Sequence, residues 1–442
     1  MNIRDRQILN ITIPSIVSNI TVPLLGLVDV GITGHLGSEV YVGAIAVGGM
    51  LFNIIYWLFA FLRMGTSGMT AQAFGRRDLT EVTYVLMRSI GVSLLASVII
   101  VSLQWPIREF AFFFISSSPS VTTLATRYFS VCVYGAPAAL ALFAMTGWYI
   151  GMQNSRIPML VAIVQNVCNI VVSLFLVVVL HMKIEGVAAG TVIAQYVGLA
   201  VAVIAFRRYY MRRLRRHLTV SLLSCLSPKC VSVWNRESLM GYLNVNRDIF
   251  LRTLCLVVVH LFFVSAGAGR GDTVLAVNTL LLQFFTLYSY IMDGFAFAGE
   301  AIAGKSIGSR NRVAYDDVVW RLFRWGCVML VLFTIAYAVS ERFIVALLTN
   351  ESDVIAVSEH YRVWVLLIPL CGMAAFIWDG IYIGATATRQ MLISMMTGVC
   401  VFLIVYYSLS SFCGNHALWA AFDAYLLTRG IVQTILRESV WR

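Results

Sequence analysis

Apolar stretches of about 20 residues, the length a helix needs to cross a ~30 Å hydrocarbon core, recur from one end of the chain to the other. They predict helices over residues 10–35, 40–64, 82–104, 122–150, 157–180 and 186–206, and again over 241–266, 272–298, 318–340, 360–385, 388–412 and 416–436. No soluble domain intervenes. Backbone polar groups in lipid must be satisfied within the spanning element, so the pattern implies an all-α polytopic membrane protein of twelve transmembrane helices. The first apolar run follows a short basic start, Arg4 and Arg6, and continues without a small-residue cleavage site, so a retained first helix is expected.

Composition agrees, with 60% hydrophobic and 12% charged residues, against about 45 to 50% apolar in soluble domains. A net charge of +11 would suit nucleic acid if it formed one patch. Instead the basic residues collect in alternate links: Arg76 and Arg77, Arg156, a central run from Arg207 to Arg216, Lys305 with Arg310 and Arg312, Arg389, and Arg437. The opposite links are poorer in them and carry Glu39, Glu109, Glu185, Asp272, Glu341 and Glu351. By the positive-inside rule both termini are cytoplasmic, and no nucleic-acid partner is expected. Seven of the nine cysteines lie in or beside apolar spans and read as small buried hydrophobes. Cys225 and Cys230 lie in the basic link without further ligand-spaced residues, so no metal site is expected there.

An internal repeat organises the whole. Gly147-Trp148-Tyr149-Ile150-Gly151 returns as Gly380-Ile381-Tyr382-Ile383-Gly384, Arg156 as Arg389, Gly75-Arg76-Arg77-Asp78 as Gly308-Ser309-Arg310-Asn311, and Gly34 as Gly267, all at one offset of 233 residues. Chance matches would scatter over many offsets. The expected division is an N-terminal six-helix bundle at 1–206, a basic cytoplasmic link at 207–240 and a C-terminal six-helix bundle at 241–442. Six spans return the chain to its starting side, so the copies share one orientation and are related by a pseudo-twofold axis along the membrane normal. That plan is used by one class of secondary transporters.

Candidate chemistry begins at Asp29 in the first helix. An ionised carboxylate near a bilayer centre costs from about 2.5 to more than 10 kcal/mol, so it normally faces a protein interior or a wet cavity. Without a basic residue nearby in its own span, Asp29 suits a group that takes and releases a proton. Pro23, and Pro14 before it, lack an amide donor and give the helix places to bend. The second copy has Phe262 at the position of Asp29, while Asp293, Glu300 and Asp379 meet Ala60, Ser67 and Thr146 in the first. The acidic residues therefore belong to each bundle separately. Asp293 and Asp379 are expected as a pair sharing a proton or a cation. Asp248 and Arg252, four apart on one helix, read as a packing or gating ion pair. Glu300 fits either a functional site or the cytoplasmic end of its helix. Tyr149, Tyr290 and Tyr382 are candidates for a substrate cavity, where aromatic faces stack on cations.

These features together resemble the multidrug and toxic compound extrusion (MATE) transporters, most closely their DinF branch. The residues that carry the resemblance are Ser18-Asn19-Ile20-Thr21-Val22-Pro23-Leu24-Leu25-Gly26-Leu27-Val28-Asp29, Thr70-Ala71-Gln72-Ala73-Phe74-Gly75, Asn246-Arg247-Asp248-Ile249, Asp293-Gly294-Phe295-Ala296, Asp379-Gly380 and Gly414-Asn415-His416-Ala417-Leu418-Trp419. The resemblance implies a multi-pass inner-membrane antiporter that exports amphiphilic, often cationic, small molecules in exchange for H⁺ or Na⁺. It implies no cofactor beyond that coupling ion, contact with membrane lipid, and a monomer. It also groups Asp29 with Asn169 of the fifth helix and Thr191 of the sixth, and makes Asp379 a cation-coupling position. Ser173 stands where many relatives have a second fifth-helix Asp. One carboxylate suits H⁺ at least as well as Na⁺, which favours several oxygen ligands. A flippase for lipid-linked precursors is the alternative within the wider superfamily. An enzyme is not expected, because the histidines are scattered and no nucleophile motif or Gly-x-x-x-x-Gly-Lys-Ser/Thr loop occurs.

Overall fold

The computed structural model describes residues 3–34, 39–114, 118–216, 233–349 and 351–441. Cys225 and Cys230 lie outside them. Among the described residues twelve long helices follow one another: α1 Ile3–Gly34, α2 Val40–Gly75, α3 Leu79–Ser102, α4 Pro119–Gly151, α5 Arg156–Val179, α6 Ile184–Leu214, α7 Arg236–Ala268, α8 Asp272–Gly308, α9 Arg312–Leu348, α10 Ser352–Gly384, α11 Thr388–Cys413 and α12 Asn415–Ile435. The ten from α2 to α11 are long and apolar enough to cross a membrane. The other two are the more polar α1, with Arg4, Asp5 and Arg6, and α12, with Asp423, Arg429 and Gln433.

Several helices outrun their apolar cores. α8 and α9 each reach 37 residues, because polar flanks continue a helix until a cap ends it. The link Arg76-Arg77-Asp78 shows the device. Arg77 turns to φ 62°, and Asp78 then accepts the amide of Glu81 at 2.9 Å to start α3. After 233 residues the same device recurs: Arg310 adopts φ 52° and Asn311 accepts the amide of Ala314 at 2.9 Å to start α9. Gln153 and Thr386, at φ 62° and 53°, are a second such pair at that offset.

Packing repeats as well. A Cβ on Gly147 of α4 would lie 2.2 Å from the carbonyl oxygen of Arg63, and one on Gly380 of α10 would lie 2.2 Å from that of Ala296. One turn on, Gly151 meets the Ser67 carbonyl and Gly384 the Glu300 carbonyl, each at 2.6 Å. Glycine is required where two helix backbones approach this closely. The sequence repeat is therefore a repeat of helix contacts. The copies differ in detail: α2 is interrupted by a turn at Ala60 and α4 by a short 3₁₀ segment at Val133–Gly135, whereas α8 is continuous and α10 passes through Pro369.

The chain forms two compact units, Val17–Asn246 and a second made of Met1–Ile16 with Arg247–Arg442. Their boundaries fall inside α1 and α7 and not in the basic link. In the second unit the start of α1 is held against α8, where a Cβ on Gly294 would meet Ile16 Cγ1 at 2.5 Å and the Thr12 carbonyl at 3.0 Å. In the first unit the start of α7 is held against α2, where a Cβ on Gly65 would meet Asn246 Oδ1 at 2.3 Å. Trp234, just before α7, lies on Gly91 of α3. Phe52, Tyr128, Phe129, Leu140, Ile184 and Val187 form one core of this unit, and Leu86, Trp148, Tyr149, Val161 and Phe206 another.

Candidate functional site

Within Val17–Asn246, Asp29 is buried on α1, and α1 stays helical through the buried Pro14 and the exposed Pro23. Asp29 Oδ1 has no hydrogen-bond partner among the described residues. Its backbone carbonyl accepts Thr33 Oγ1 at 2.8 Å. Tyr128 and Cys132 of α4 lie close enough to feel its charge. Between α5 and α6, Asn169 Nδ2 donates to Thr191 Oγ1 at 2.9 Å, and Thr191 donates on to the Val187 carbonyl at 3.2 Å. Ser173 is fully buried where α6 approaches at Gly190, whose Cβ would lie 2.1 Å from Ser173 Oγ.

The expected group is thus partly assembled. Asn169 and Thr191 are joined, but no hydrogen bond links either to Asp29 among the described residues. The residue pattern did not single out Gln195 of α6, which donates to Tyr56 OH at 3.4 Å. Among the described residues, Asp29 Oδ1, Asn169 Oδ1, Ser173 Oγ and Gln195 Oε1 are all buried without a hydrogen-bond partner. Of these, the carboxylate of Asp29 can take a proton, and all four oxygens can accept from a donor or ligate a small cation.

In the second unit Asp379 of α10 is the centre of a buried ion cluster. Its Oδ2 accepts Arg429 Nη2 of α12 at 2.6 Å and also Arg252 Nη2 of α7, and its Oδ1 accepts Gln433 Nε2 at 2.6 Å. Arg252, Arg429 and Gln433 are themselves buried. Two sequence expectations are corrected here. Arg252 binds Asp379 and not Asp248, which takes Arg247 at 2.8 Å. Asp379 therefore does not pair with Asp293, because its oxygens are already bound to guanidinium and amide donors. Asp293 is half-buried on α8, where its charge acts on Tyr290. Glu300 is buried.

The tyrosines divide. Tyr149 donates to the Ala202 carbonyl at 2.8 Å and Tyr382 to the Gln433 carbonyl at 2.7 Å, both inside their own units. Both side chains are buried in the packing of their own units. Tyr290 is half-buried.

Three further sets were legible only as isolated polar residues. Arg88 of α3 is buried, with Nε on the Val233 carbonyl at 2.7 Å and Nη1 on Glu81 at 2.8 Å. Asp5 accepts Arg321 Nη1 at 2.9 Å, Arg324 Nη2 at 3.0 Å and Trp325 Nε1 at 3.4 Å, fastening the start of α1 to α9. Burial alone would raise the Asp5 carboxyl, but the hydrogen bond from Arg321 and the charges of Arg324 and Arg321 outweigh it and hold it below the ordinary carboxylate value. Asp423 of α12 is buried, and neither of its oxygens has a hydrogen-bond partner among the described residues.

The MatE family model matches residues 14–175 and 249–408. DNA damage-inducible protein F of Escherichia coli K12 is 34% identical over 438 residues, covering 99% of this chain and 93% of that protein. Among solved structures, a MATE protein crystallised in a bent conformation superposes with a TM-score of 0.86 at 20% identity, covering 99% of this chain and 96% of its own. An outward-facing multidrug resistance transporter of the MATE family superposes at 0.85 with 21% identity and the same coverage.

Proposed function

The chain belongs to the multidrug and toxic compound extrusion family, and from that premise we propose that it is an antiporter exporting amphiphilic, cationic small molecules in exchange for H⁺ by alternating access. Members of this family are membrane transporters and not enzymes. The observation that carries the choice of ion is Asp29: a buried carboxylate of α1 with one oxygen that has no hydrogen-bond partner among the described residues. One carboxylate among neutral oxygens is a better acceptor for a proton than for a hard cation.

In this reading a proton on Asp29 neutralises it and changes its hydrogen bonding, α1 bends at Pro14 or Pro23, and substrate leaves on the outer side. Proton and substrate are coupled because both act on one two-state rearrangement. Asn169, Ser173 and Thr191 form the polar wall of α5 and α6 in this scheme. α1 and α12 complete a set of twelve spans, the membrane is the inner membrane with both termini cytoplasmic, and the working unit is a monomer. Na⁺ is a second reading, favoured by the unpartnered oxygens of Asn169, Ser173 and Gln195, which would supply neutral ligands. The flippase alternative draws on the two buried guanidiniums of Arg252 and Arg429, but both already bind Asp379.

The test is uptake of a fluorescent organic cation into proteoliposomes with Na⁺ and pH varied independently. Transport that survives without Na⁺ and collapses with the pH gradient supports the proposal. Asp29→Asn should remove gradient-driven transport while leaving a folded protein, and full activity in that variant refutes the role given to Asp29.

A further inference from the structure

α12 presents Asn415, Trp419 and Asp423 at successive four-residue steps, which places them along one helix face. The first two are fully satisfied by one partner on α8. Asn278 Oδ1 accepts Asn415 Nδ2 at 2.8 Å and Trp419 Nε1 at 2.9 Å, and Asn278 Nδ2 donates to Asn415 Oδ1 at 3.0 Å. One turn further Asp423 is 4% exposed, yet both of its oxygens lack a hydrogen-bond partner among the described residues. A buried carboxylate with two unmatched oxygens is the exception that calls for a ligand.

Among the described residues no cation is bonded to Asp423. The neighbouring Phe422 packs on Phe263 of α7 at 5.4 Å and on Phe285 of α8 at 5.0 Å between ring centroids. From α10 the ionisable group that feels the charge of Asp423 is Cys371. α11 faces this part of α12 with Met395 and Phe402, both on Tyr425. Arg429 lies six residues along α12, about 9 Å by the helix rise, and its guanidinium is held by Asp379 and Tyr425. Charge left unpaired in such a place is costly, and a proton is the smallest ligand that removes it.

We infer that Asp423 is a second proton-binding carboxylate of this transporter, located in the C-terminal helices and separate from Asp29. The proton adds to one carboxylate oxygen and no other bond changes. Arg252 and Arg429 against Asp379 leave one positive charge in the buried set. An ionised Asp423 cancels that charge, and a protonated one restores it. The two protonation states therefore differ in the net charge held by α7, α10 and α12, which is the differential interaction that a coupled ion needs in order to shift a conformational equilibrium. The inference rests on the ion-coupled antiport reading for its role in transport, though not for its protonation.

The experiment uses the full-length protein in detergent and in proteoliposomes, comparing wild type, Asp423→Asn and Asp423→Glu. Infrared difference spectra between acid and alkaline pH should show, in addition to the band of Asp29, a protonated-carboxyl band in wild type that Asp423→Asn lacks and Asp423→Glu retains at a shifted position. Uptake of the fluorescent cation driven by a pH gradient should fall about tenfold in Asp423→Asn, while gradient-independent exchange of the same cation persists. An unchanged infrared spectrum, or undiminished gradient-driven uptake, overturns the inference. So does an Asp423→Asn protein that cannot fold while Asp423→Glu can, because the charge would then be a fixed structural counterion. A wild type with the Asp423 band but no ion-driven transport overturns the antiport reading and leaves the proton site standing.

Discussion

Arg429 on α12 donates to Asp379 on α10 across 2.6 Å, with both side chains buried. Arg252 of α7 binds the same carboxylate oxygen, so one acidic side chain holds two guanidiniums from two other helices.

Removing that carboxylate leaves two unpaired charges in a place of low dielectric. Asp379→Ala should destabilise the folded protein by about 3 to 5 kcal/mol, seen as a large drop in thermal midpoint in detergent. Adding Arg252→Met to that variant should recover part of the loss. A midpoint unchanged by Asp379→Ala would show that the cluster is not under electrostatic tension.

The paired glycines give a test that needs no electrostatics. Gly147→Ala and Gly380→Ala each place a methyl 2.2 Å from a backbone carbonyl of the neighbouring helix, where no side chain can move aside. Each should cost about 1 to 3 kcal/mol or more, and the two costs should be similar because the contact is the same in both units. Thermal unfolding of the two single variants checks both statements.

The Asp5 clamp predicts a pH dependence. Its folded-state carboxyl lies below the ordinary value of 3.8, so the stability it contributes is fully present above that value. It is lost as pH falls through the lower folded value. Asp5→Asn should thus be less stable than wild type by a constant amount from pH 7 to about pH 5, and the gap should narrow on further acidification. A gap that widens toward acid would reverse the sign of the argument. Denaturation curves of the two proteins across that range decide it.

The Asn278 bridge is neutral and should respond differently. Asn278→Leu strips partners from Asn415 and Trp419 together, leaving buried donors unmatched at a cost of about 1 to 3 kcal/mol each. The loss should stay the same as pH falls below about 5, where the Asp5→Asn deficit narrows, and differential scanning fluorimetry at several acidic pH values separates the two.

How much was readable from the chain differs between features. Asp29 stood out because a carboxylate in an apolar run is conspicuous whatever its neighbours. Asp379 stood out for the same reason, yet its partners did not: Arg252 and Arg429 are 127 and 50 residues away, and only the close passage of α7, α10 and α12 brings them together. Asp248 is nearer to Arg252 in sequence, but its carboxylate takes Arg247. Tyr149 and Tyr382 were read as cavity candidates from aromatic character alone, which does not reveal that their hydroxyls are held by the Ala202 and Gln433 carbonyls. Asp423 and Gln195 could have been flagged by the same rule as Asp29, as polar side chains within membrane helices.

The sequence by itself determined the helices, the membrane class, the family and the repeat at 233 residues. Those depend on hydrophobic length, on turn residues such as Arg77 and Arg310, and on glycines that must be small wherever helices touch. The tertiary structure decided which carboxylates are paired and which are left without partners. Pairing depends on side chains from distant segments meeting within about 3 Å, a distance that no local pattern encodes. Asp29 and Asp423 differ from Asp379 in that respect: no guanidinium from another helix binds either of them among the described residues.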